Sequence, residues 1–111
     1  MNRKRFWLYG RVASPDSHAL EIQMESLRYF AEKWELNIIG QSQDEQSGLT
    51  FDRPGIMQFL DSVRERKVDA LLVKDLSRLG RDYIQVGKFI DDLNRSGIDV
   101  FETTRLITSG L

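Results

Sequence analysis

The chain has 111 residues, of which 41% are hydrophobic and 30% are charged, and its formal net charge is −1. This length suits one domain with a single core and is too short for two domains. The absence of cysteine excludes disulfides and thiolate metal sites, and it makes a reducing cytoplasm the expected compartment. The balanced charge argues against a domain that holds nucleic acid by bulk electrostatics, and the apolar runs are too short to span a bilayer.

The N-terminal half of the chain predicts a strand, a helix and a second strand. Residues 5–12 ("RFWLYGRV") are rich in aromatic and β-branched residues and favour a strand. The segment 15–17 ("PDS") then breaks this strand and offers helix-capping groups. Apolar residues recur at helical spacing over 19–34. Residues 36–43 favour a second strand, which opens into the loop 44–53.

The C-terminal half continues the alternation of strands and helices. Pro54 suits the first turn of a helix, where a missing N–H costs nothing, and Asp52 is the expected cap. Residues 68–74 ("VDALLVK") are nearly all apolar, which is typical of a strand covered on both faces. A third helix is expected to end at Gly97 as its C-cap, and 98–104 ("IDVFETT") predicts the last strand.

This alternation predicts an α/β fold, a three-layer sandwich with helices on both faces of a central, mostly parallel sheet of four to five strands. In such a sheet, ligands bind outside the carboxyl ends of the strands. The loops 13–18, 44–53 and 75–82 follow the carboxyl ends of the first three strands, so they should share one edge. No partner element follows the tail 105–111, and we therefore expect the chain to be a piece of a longer protein.

Four arginines are expected to converge at this edge. A guanidinium is always charged, and its planar fork matches phosphate oxygens. For any one arginine, an ordinary ion pair with a loop carboxylate is the simpler interpretation. Clustered like charges are unfavourable unless an anion or carboxylates offset them, so the shared location favours a phosphate ligand. The four are Arg11, Arg53, Arg78 and Arg81.

Two other chemistries are open to these loops. Asp44, Asp75 and Asp82 could hold Mg²⁺ in a metal-dependent nuclease, but four nearby arginines would compete with the cation. His18, the only histidine, could act as a general base for Ser14, four residues away. A histidine at the start of a helix is more often a plain surface residue.

Four stretches of the chain resemble the serine recombinases, the resolvase and invertase family. They are "YGRV", "ALEIQMESL", "DEQSGLTFDRPG" and "VKDLSRLGRDY", in the expected order and at appropriate spacing over nearly the whole chain. The resemblance implies a resolvase-like fold and one catalytic domain over residues 1–111. It also implies that a long C-terminal helix and a DNA-binding part lie outside this chain.

The resemblance also implies a mechanism. In this family a serine hydroxyl attacks the scissile phosphodiester, giving a covalent 5′-phosphoserine and a free 3′-hydroxyl. Four subunits cut two DNA sites, one half of the tetramer rotates, and the strands are rejoined. No metal or other cofactor is needed, because the covalent intermediate keeps the phosphodiester energy.

The partners implied are double-stranded DNA and further copies of the chain, as a dimer and then an active tetramer. A membrane and a small-molecule substrate are not expected. The setting implied is the bacterial cytoplasm, in association with the nucleoid. The biological outcome would be integration, inversion or resolution of DNA, tied to a mobile element or an inversion system.

By position, the resemblance makes Arg11, Arg78 and Arg81 the phosphate-binding core. Ser77 stands where well-known resolvases carry an aspartate, which puts in doubt only a proton-handling role for that position. On spacing alone, Gln23 is an ordinary polar residue on the first helix. The supporting residues implied are Gln23, Asp44, Ser47, Arg53 and Ser77.

The nucleophile is the one departure that bears on activity. Counted forward from Arg11, the nucleophile slot holds Ala13, whereas counted back from Gln23 it falls on Ser14. In a regular strand Ala13 would share the face of Arg11 and Ser14 would point away, unless a bulge turned Ser14 into the site. We expect Ala13 to occupy the slot. The alternatives to an active recombinase are therefore a catalytically silent module for DNA complexes or dimers, and an unrelated phosphate-ester enzyme.

Overall fold

Strands and helices alternate along the computed structural model, which describes residues 3–108. The last predicted strand is too long, because the chain leaves the sheet after Glu102 and turns into a short helix. In chain order the elements are β1 (Arg5–Val12), α1 (Ser17–Lys33), β2 (Asn37–Glu45), α2 (Pro54–Arg64), β3 (Ala70–Val73), a 3-10 turn (Leu76–Arg78), α3 (Tyr83–Arg95), β4 (Asp99–Glu102) and α4 (Thr103–Thr108).

The four strands form one parallel sheet in the order β2-β1-β3-β4. The prediction of an α/β fold with a mostly parallel sheet is therefore confirmed. In this order β1 lies between β2 and β3, so the loops after these three strands are neighbours at the carboxyl edge. Among residues 3–108, no helix has both the length and the apolar character needed to cross a bilayer.

The core lies on both faces of the sheet. On one face, Tyr9 packs with Phe59 of α2 and Leu93 of α3. On the other face, Leu8 packs with Leu27 of α1. Successive side chains of a strand point to opposite faces, which is why Leu8 and Tyr9 belong to different clusters. All four residues of β3 are buried, as predicted for a strand covered on both sides.

The helix starts explain how the chain enters each layer. The carboxylate of Asp16 accepts a hydrogen bond from Ala19 N at 3.0 Å and caps α1. Helix α2 begins with Pro54, as predicted, but the expected cap by Asp52 is wrong. Instead the carboxylate of Asp44, on the adjacent strand β2, accepts a hydrogen bond from Gly55 N at 2.8 Å. A strand residue therefore provides the anionic partner for the first turn of α2.

Three helices end in the same way. The residue after each C-cap adopts the left-handed conformation, with φ of 82° at Gly97, 54° at Glu35 and 57° at Arg66. In each case the next residue donates a backbone hydrogen bond back into the helix, at 2.9 to 3.0 Å. This pattern closes the open carbonyls of the last turn and turns the chain towards the following strand. The expectation that Gly97 ends α3 is confirmed.

Gly87 in α3 gives a direct test of helix propensity. A Cβ added there would meet no atom within 4 Å, so the glycine is not required by packing within the described chain. We predict that Gly87→Ala raises the free energy of unfolding by about 1 kcal/mol, as measured by urea denaturation. Gly40→Ala is the control and should lower stability, because its Cβ would lie 2.4 Å from Trp7 Cζ3. A loss of stability in Gly87→Ala would contradict the prediction.

An ion pair at the amino edge of the sheet links stability to pH. Arg5 donates to both carboxylate oxygens of Asp69, at 2.9 and 3.0 Å, and its backbone N–H adds a bond of 2.8 Å. These hydrogen bonds lower the pKa of Asp69 from 3.8 to about 2. A carboxyl group with a depressed folded pKa stabilises the fold above its unfolded pKa, and this contribution is lost as the pH falls through the folded value.

We therefore predict that Asp69→Asn is less stable than the parent at neutral pH. The difference in free energy of unfolding should shrink as the pH falls from 3.8 towards about 2, where Asp69 becomes protonated. Urea denaturation across this pH range measures it. Both side chains of the pair are partly exposed, so the effect should be small and should weaken in high salt. An unchanged difference across the range would show that the ion pair does not contribute.

Candidate functional site

Arg11 joins the two loops that follow β2 and β3. Its side chain is buried, and each of its three guanidinium nitrogens donates to a backbone carbonyl. Nη1 donates to Gln46 O at 3.1 Å in the loop after β2. In the loop after β3, Nη2 donates to Ser77 O at 2.6 Å and Nε donates to Arg78 O at 3.0 Å. One side chain from β1 therefore fixes the position of both neighbouring loops.

Gln23 supports the backbone of the same arginine. Its Oε1 accepts from Arg11 N at 2.9 Å, and its Nε2 donates to Arg11 O at 3.1 Å. The pairing between β1 and β3 ends at Leu8, so the amide supplies partners that no residue of β3 provides. Spacing alone suggested an exposed polar residue on α1, but Gln23 is buried. The structure therefore brings Gln23 to the end of β1, beside Arg11.

Arg78 and Arg81 complete the group at the carboxyl edge. Nη1 of Arg78 donates to Arg11 O at 3.1 Å, and its Nε lies 3.7 Å from the carboxylate of Asp75. Arg81 is exposed, and its Nη1 lies 3.5 Å from Ser47 Oγ. The structure thus brings together Arg11, Arg78, Arg81 and Ser47 from the three loops and strands that the sequence singled out.

The cationic groups of this cluster repel one another. Burial lowers the pKa of Arg11, and the charges of Arg53, Arg78 and Arg81 lower it further. Among the four, only Arg78 has a carboxylate within ion-pair distance in the part of the chain that the structure describes. A cluster of this kind presents a positive potential that an anion would offset.

Asp44 links the strands to helix α2. Its Oδ2 accepts a hydrogen bond of 2.7 Å from the hydroxyl of Tyr9, and its other oxygen accepts from Gly55 N. Burial, followed by this hydrogen bond, raises the pKa of Tyr9, so the hydroxyl stays protonated and keeps donating. Asp44, expected as a supporting site residue, therefore braces the end of β2 from inside the fold.

Arg53 lies beneath the site rather than at its surface. Its side chain is fully buried, with 0% of its surface exposed. Nη2 donates to Leu79 O in the loop after β3, and the guanidinium carbon lies 5.8 Å from the ring centroid of Tyr9 and 5.6 Å from that of Phe51. Within residues 3–108, Nε and Nη1 have no hydrogen-bond partner. Four arginines were expected at the carboxyl edge. Arg11, Arg78 and Arg81 lie there, whereas Arg53 is buried behind them.

Ser77 contributes mainly through its backbone. Its N–H donates to the carboxylate of Asp75 at 3.1 Å, and its hydroxyl donates to the same oxygen. These bonds form the start of the 3-10 turn, and the carbonyl of Ser77 then accepts from Arg11. The side chain at position 77 therefore shapes the turn that presents the carbonyl.

The two nucleophile candidates lie just beyond the end of β1. The strand ends at Val12, residues 13–15 bend, and both Ala13 and Ser14 are exposed. The one irregularity in the β1–β2 register lies between Phe6 and Trp7, at the opposite end of the strand. Strand alternation therefore does not extend to either candidate, and the choice between them stays a prediction. His18 is exposed in the first turn of α1.

The acidic side chains near the site have separate partners. Asp44 bonds Tyr9 and Gly55, Asp75 bonds Ser77, and Asp82 caps α3 through Ile84 N at 2.9 Å and the next N–H. Within residues 3–108, no group of three or more His, Cys, Asp or Glu side chains is arranged to hold a metal ion. The structure does not bring Asp44, Asp75 and Asp82 into one cluster.

Sequence reasoning does not identify two contributors, Gly48 and Tyr9. A Cβ at Gly48 would lie 3.0 Å from the guanidinium carbon of Arg11 and 3.0 Å from Gly80 Cα, so the two loops touch here. Arg81 N also donates to Gly48 O at 3.0 Å. Tyr9 lies two residues before Arg11 and therefore on the same face of β1. This spacing could have predicted that Tyr9 lies near the site.

Both the sequence and the fold of this chain are similar to those of known proteins. A family model described as "Resolvase, N terminal domain" matches residues 6–109. The N-terminal catalytic domain of TP901-1 integrase has 22% sequence identity and a TM-score of 0.83, with 92% of this chain and 78% of that one covered. The C-terminal catalytic domain of ISC1926 TnpA, an IS607-like serine recombinase, has 26% identity and a TM-score of 0.80, with 88% and 66% covered. A resolvase family site-specific recombinase from Streptococcus pneumoniae has 20% identity and a TM-score of 0.78, with 93% and 74% covered.

These matches bear on both fold and family. The two structures at 22% and 20% identity share the fold of this chain, which confirms the resolvase-like architecture predicted from the sequence. The family model covers all but a few residues at each end. The chain therefore belongs to the family of resolvase N-terminal domains.

Proposed function

We propose that the chain is the catalytic domain of a serine site-specific recombinase, which cuts and rejoins double-stranded DNA through a 5′-phosphoserine intermediate. The observation that carries this proposal is the meeting of Arg11, Arg78 and Arg81 at the carboxyl edge of the sheet. Family membership supports it, and so does the serine recombinase at 26% identity. Residues 1–111 would form one catalytic domain.

The chemistry proposed needs a cationic pocket more than a metal. When a serine hydroxyl attacks the phosphorus, the new Oγ–P bond forms as the bond from phosphorus to the 3′ oxygen breaks. The serine gives up its proton, and the departing 3′ oxygen takes one up. Negative charge on the non-bridging oxygens must be stabilised during this exchange. Arg78 and Arg81 would bind these oxygens, while Arg11 would hold the two loops in place.

The partners proposed are double-stranded DNA and further copies of the chain, as a dimer and an active tetramer. A net charge of −1 supports the view that a separate DNA-binding part supplies most of the affinity. The setting proposed is the bacterial cytoplasm, at the nucleoid, in a mobile element or an inversion system. Integration, inversion and resolution share this chemistry.

One observation favours a second candidate function. Ala13 stands in the slot where the family's opening motif places the nucleophile. If Ala13 occupies that slot in the folded site, the chain with alanine at this position is a catalytically silent module that joins DNA complexes or dimers. The same fold and arginine cluster would then bind a DNA phosphate without breaking the phosphodiester bond.

Formation of a covalent protein–DNA adduct decides between these functions. We predict that Ala13→Ser, tested together with the DNA-binding part, forms a 5′-phosphoserine adduct with duplex DNA, detected on a denaturing gel. The parent and Ser14→Ala should form at least about a thousandfold less, because the attacking group is absent. If the parent forms the adduct and Ser14→Ala abolishes it, Ser14 is the nucleophile. Adduct formation that a metal chelator abolishes would instead favour an unrelated phosphate-ester enzyme.

Binding of sulfate, a stand-in for the scissile phosphate, tests the arginine cluster directly. We predict that Arg81→Ala weakens sulfate binding about tenfold, as followed by NMR titration, because a charge-assisted contact is lost. Its melting temperature should not change, since Arg81 is exposed. Arg95→Ala is the matched control, because Arg95 is an exposed arginine at the other end of α3. Equal effects of the two changes would show only general charge screening.

A further inference from the structure

Arg53 is a buried cation, and few neighbouring groups stabilise its charge. None of its surface is exposed, and the one hydrogen bond that its side chain makes within residues 3–108 is to Leu79 O. Nε and Nη1 are buried without partners, and Arg53 forms no ion pair in the same part of the chain. Burying a charge in this way is costly, and an apolar side chain of similar size often serves stability as well or better.

The neighbours of Arg53 offset only part of this cost. The rings of Tyr9 and Phe51 lie 5.8 and 5.6 Å from its guanidinium carbon, and aromatic faces attract a cation weakly. The carboxylate of Asp44 is bound to the hydroxyl of Tyr9 and to Gly55 N instead. A purely structural role does not require a positive charge at this position.

The charge of Arg53 acts on Arg11, the side chain that holds the two loops of the site. It is the largest electrostatic cause, after burial, of the lowered pKa of Arg11. Its hydrogen bond also holds the carbonyl of Leu79, which lies between Arg78 and Arg81 in the chain. Arg53 therefore affects the site both by its charge and by fixing the loop after β3.

We propose that Arg53 is a positioning residue that strengthens phosphate binding through its buried charge and its bond to the Leu79 carbonyl, without contacting the phosphate. This inference rests on the proposed phosphate-binding function and refines it. The sequence grouped Arg53 with residues that contact or support the phosphate, whereas its complete burial separates it from Arg78 and Arg81, which would bind the phosphate oxygens. The remote charge would raise anion affinity while costing stability.

Two substitutions separate charge from shape. Arg53→Met removes the charge and keeps a long apolar side chain, and Arg53→Lys keeps the charge. Sulfate titration by NMR and thermal melting are measured for each and for the parent. We expect Arg53→Met to bind sulfate about tenfold more weakly than the parent, the order for losing one nearby unit charge in partly buried protein. Its melting temperature should be equal or higher, and Arg53→Lys should bind more tightly than Arg53→Met.

Each outcome has one meaning. If Arg53→Met binds sulfate as the parent does, or if Arg53→Lys binds as weakly as Arg53→Met, the electrostatic role is wrong. If the melting temperature falls while affinity is kept, Arg53 is merely structural. Should Arg53→Met not fold, Arg53→Gln provides the neutral variant for the same comparison. If the parent itself binds no sulfate at Arg78 and Arg81, the proposed phosphate-binding function fails, and this inference fails with it.

Discussion

The arrangement at the carboxyl edge of the sheet depends on the three hydrogen bonds from the Arg11 guanidinium to backbone carbonyls. Arg11 lies near the carboxyl end of β1, and its acceptors lie in the loops that follow the neighbouring strands β2 and β3. Leaving a buried guanidinium donor without a partner is costly, so these three hydrogen bonds favour the observed position of both loops. The hydrogen bonds of one charged side chain therefore hold both loops.

The strand order explains why this is possible. A parallel sheet places the ends of all its strands at one edge, and the order β2-β1-β3-β4 puts β1 between the two strands whose loops it fixes. On the other side, Gln23 from α1 holds the backbone of Arg11, and Asp44 connects Tyr9 to the start of α2. Both faces of the sandwich therefore brace the same few residues, which preorganises the site before any ligand arrives.

The sequence predicted the layers of the fold, because apolar periodicity records which side chains face the core. It also predicted that Arg11, Arg78 and Arg81 meet, since Arg11 lies near the carboxyl end of β1 and the other two lie in the loop after β3. It could not predict the burial of Arg53, because an arginine in a polar loop is normally exposed and only the tertiary packing of Tyr9 and Phe51 encloses it. The cap of α2 was missed for a similar reason, since Asp44 reaches Gly55 from another strand.

The acceptors of Arg11 are all main-chain carbonyls, so its hydrogen bonds do not depend on which side chains the acceptor residues carry. Every residue type carries the same carbonyl, so the side chains at 46 and 77 can change without removing a partner from Arg11. The loops can therefore change in sequence at these two positions while the hydrogen bonds that hold them are kept.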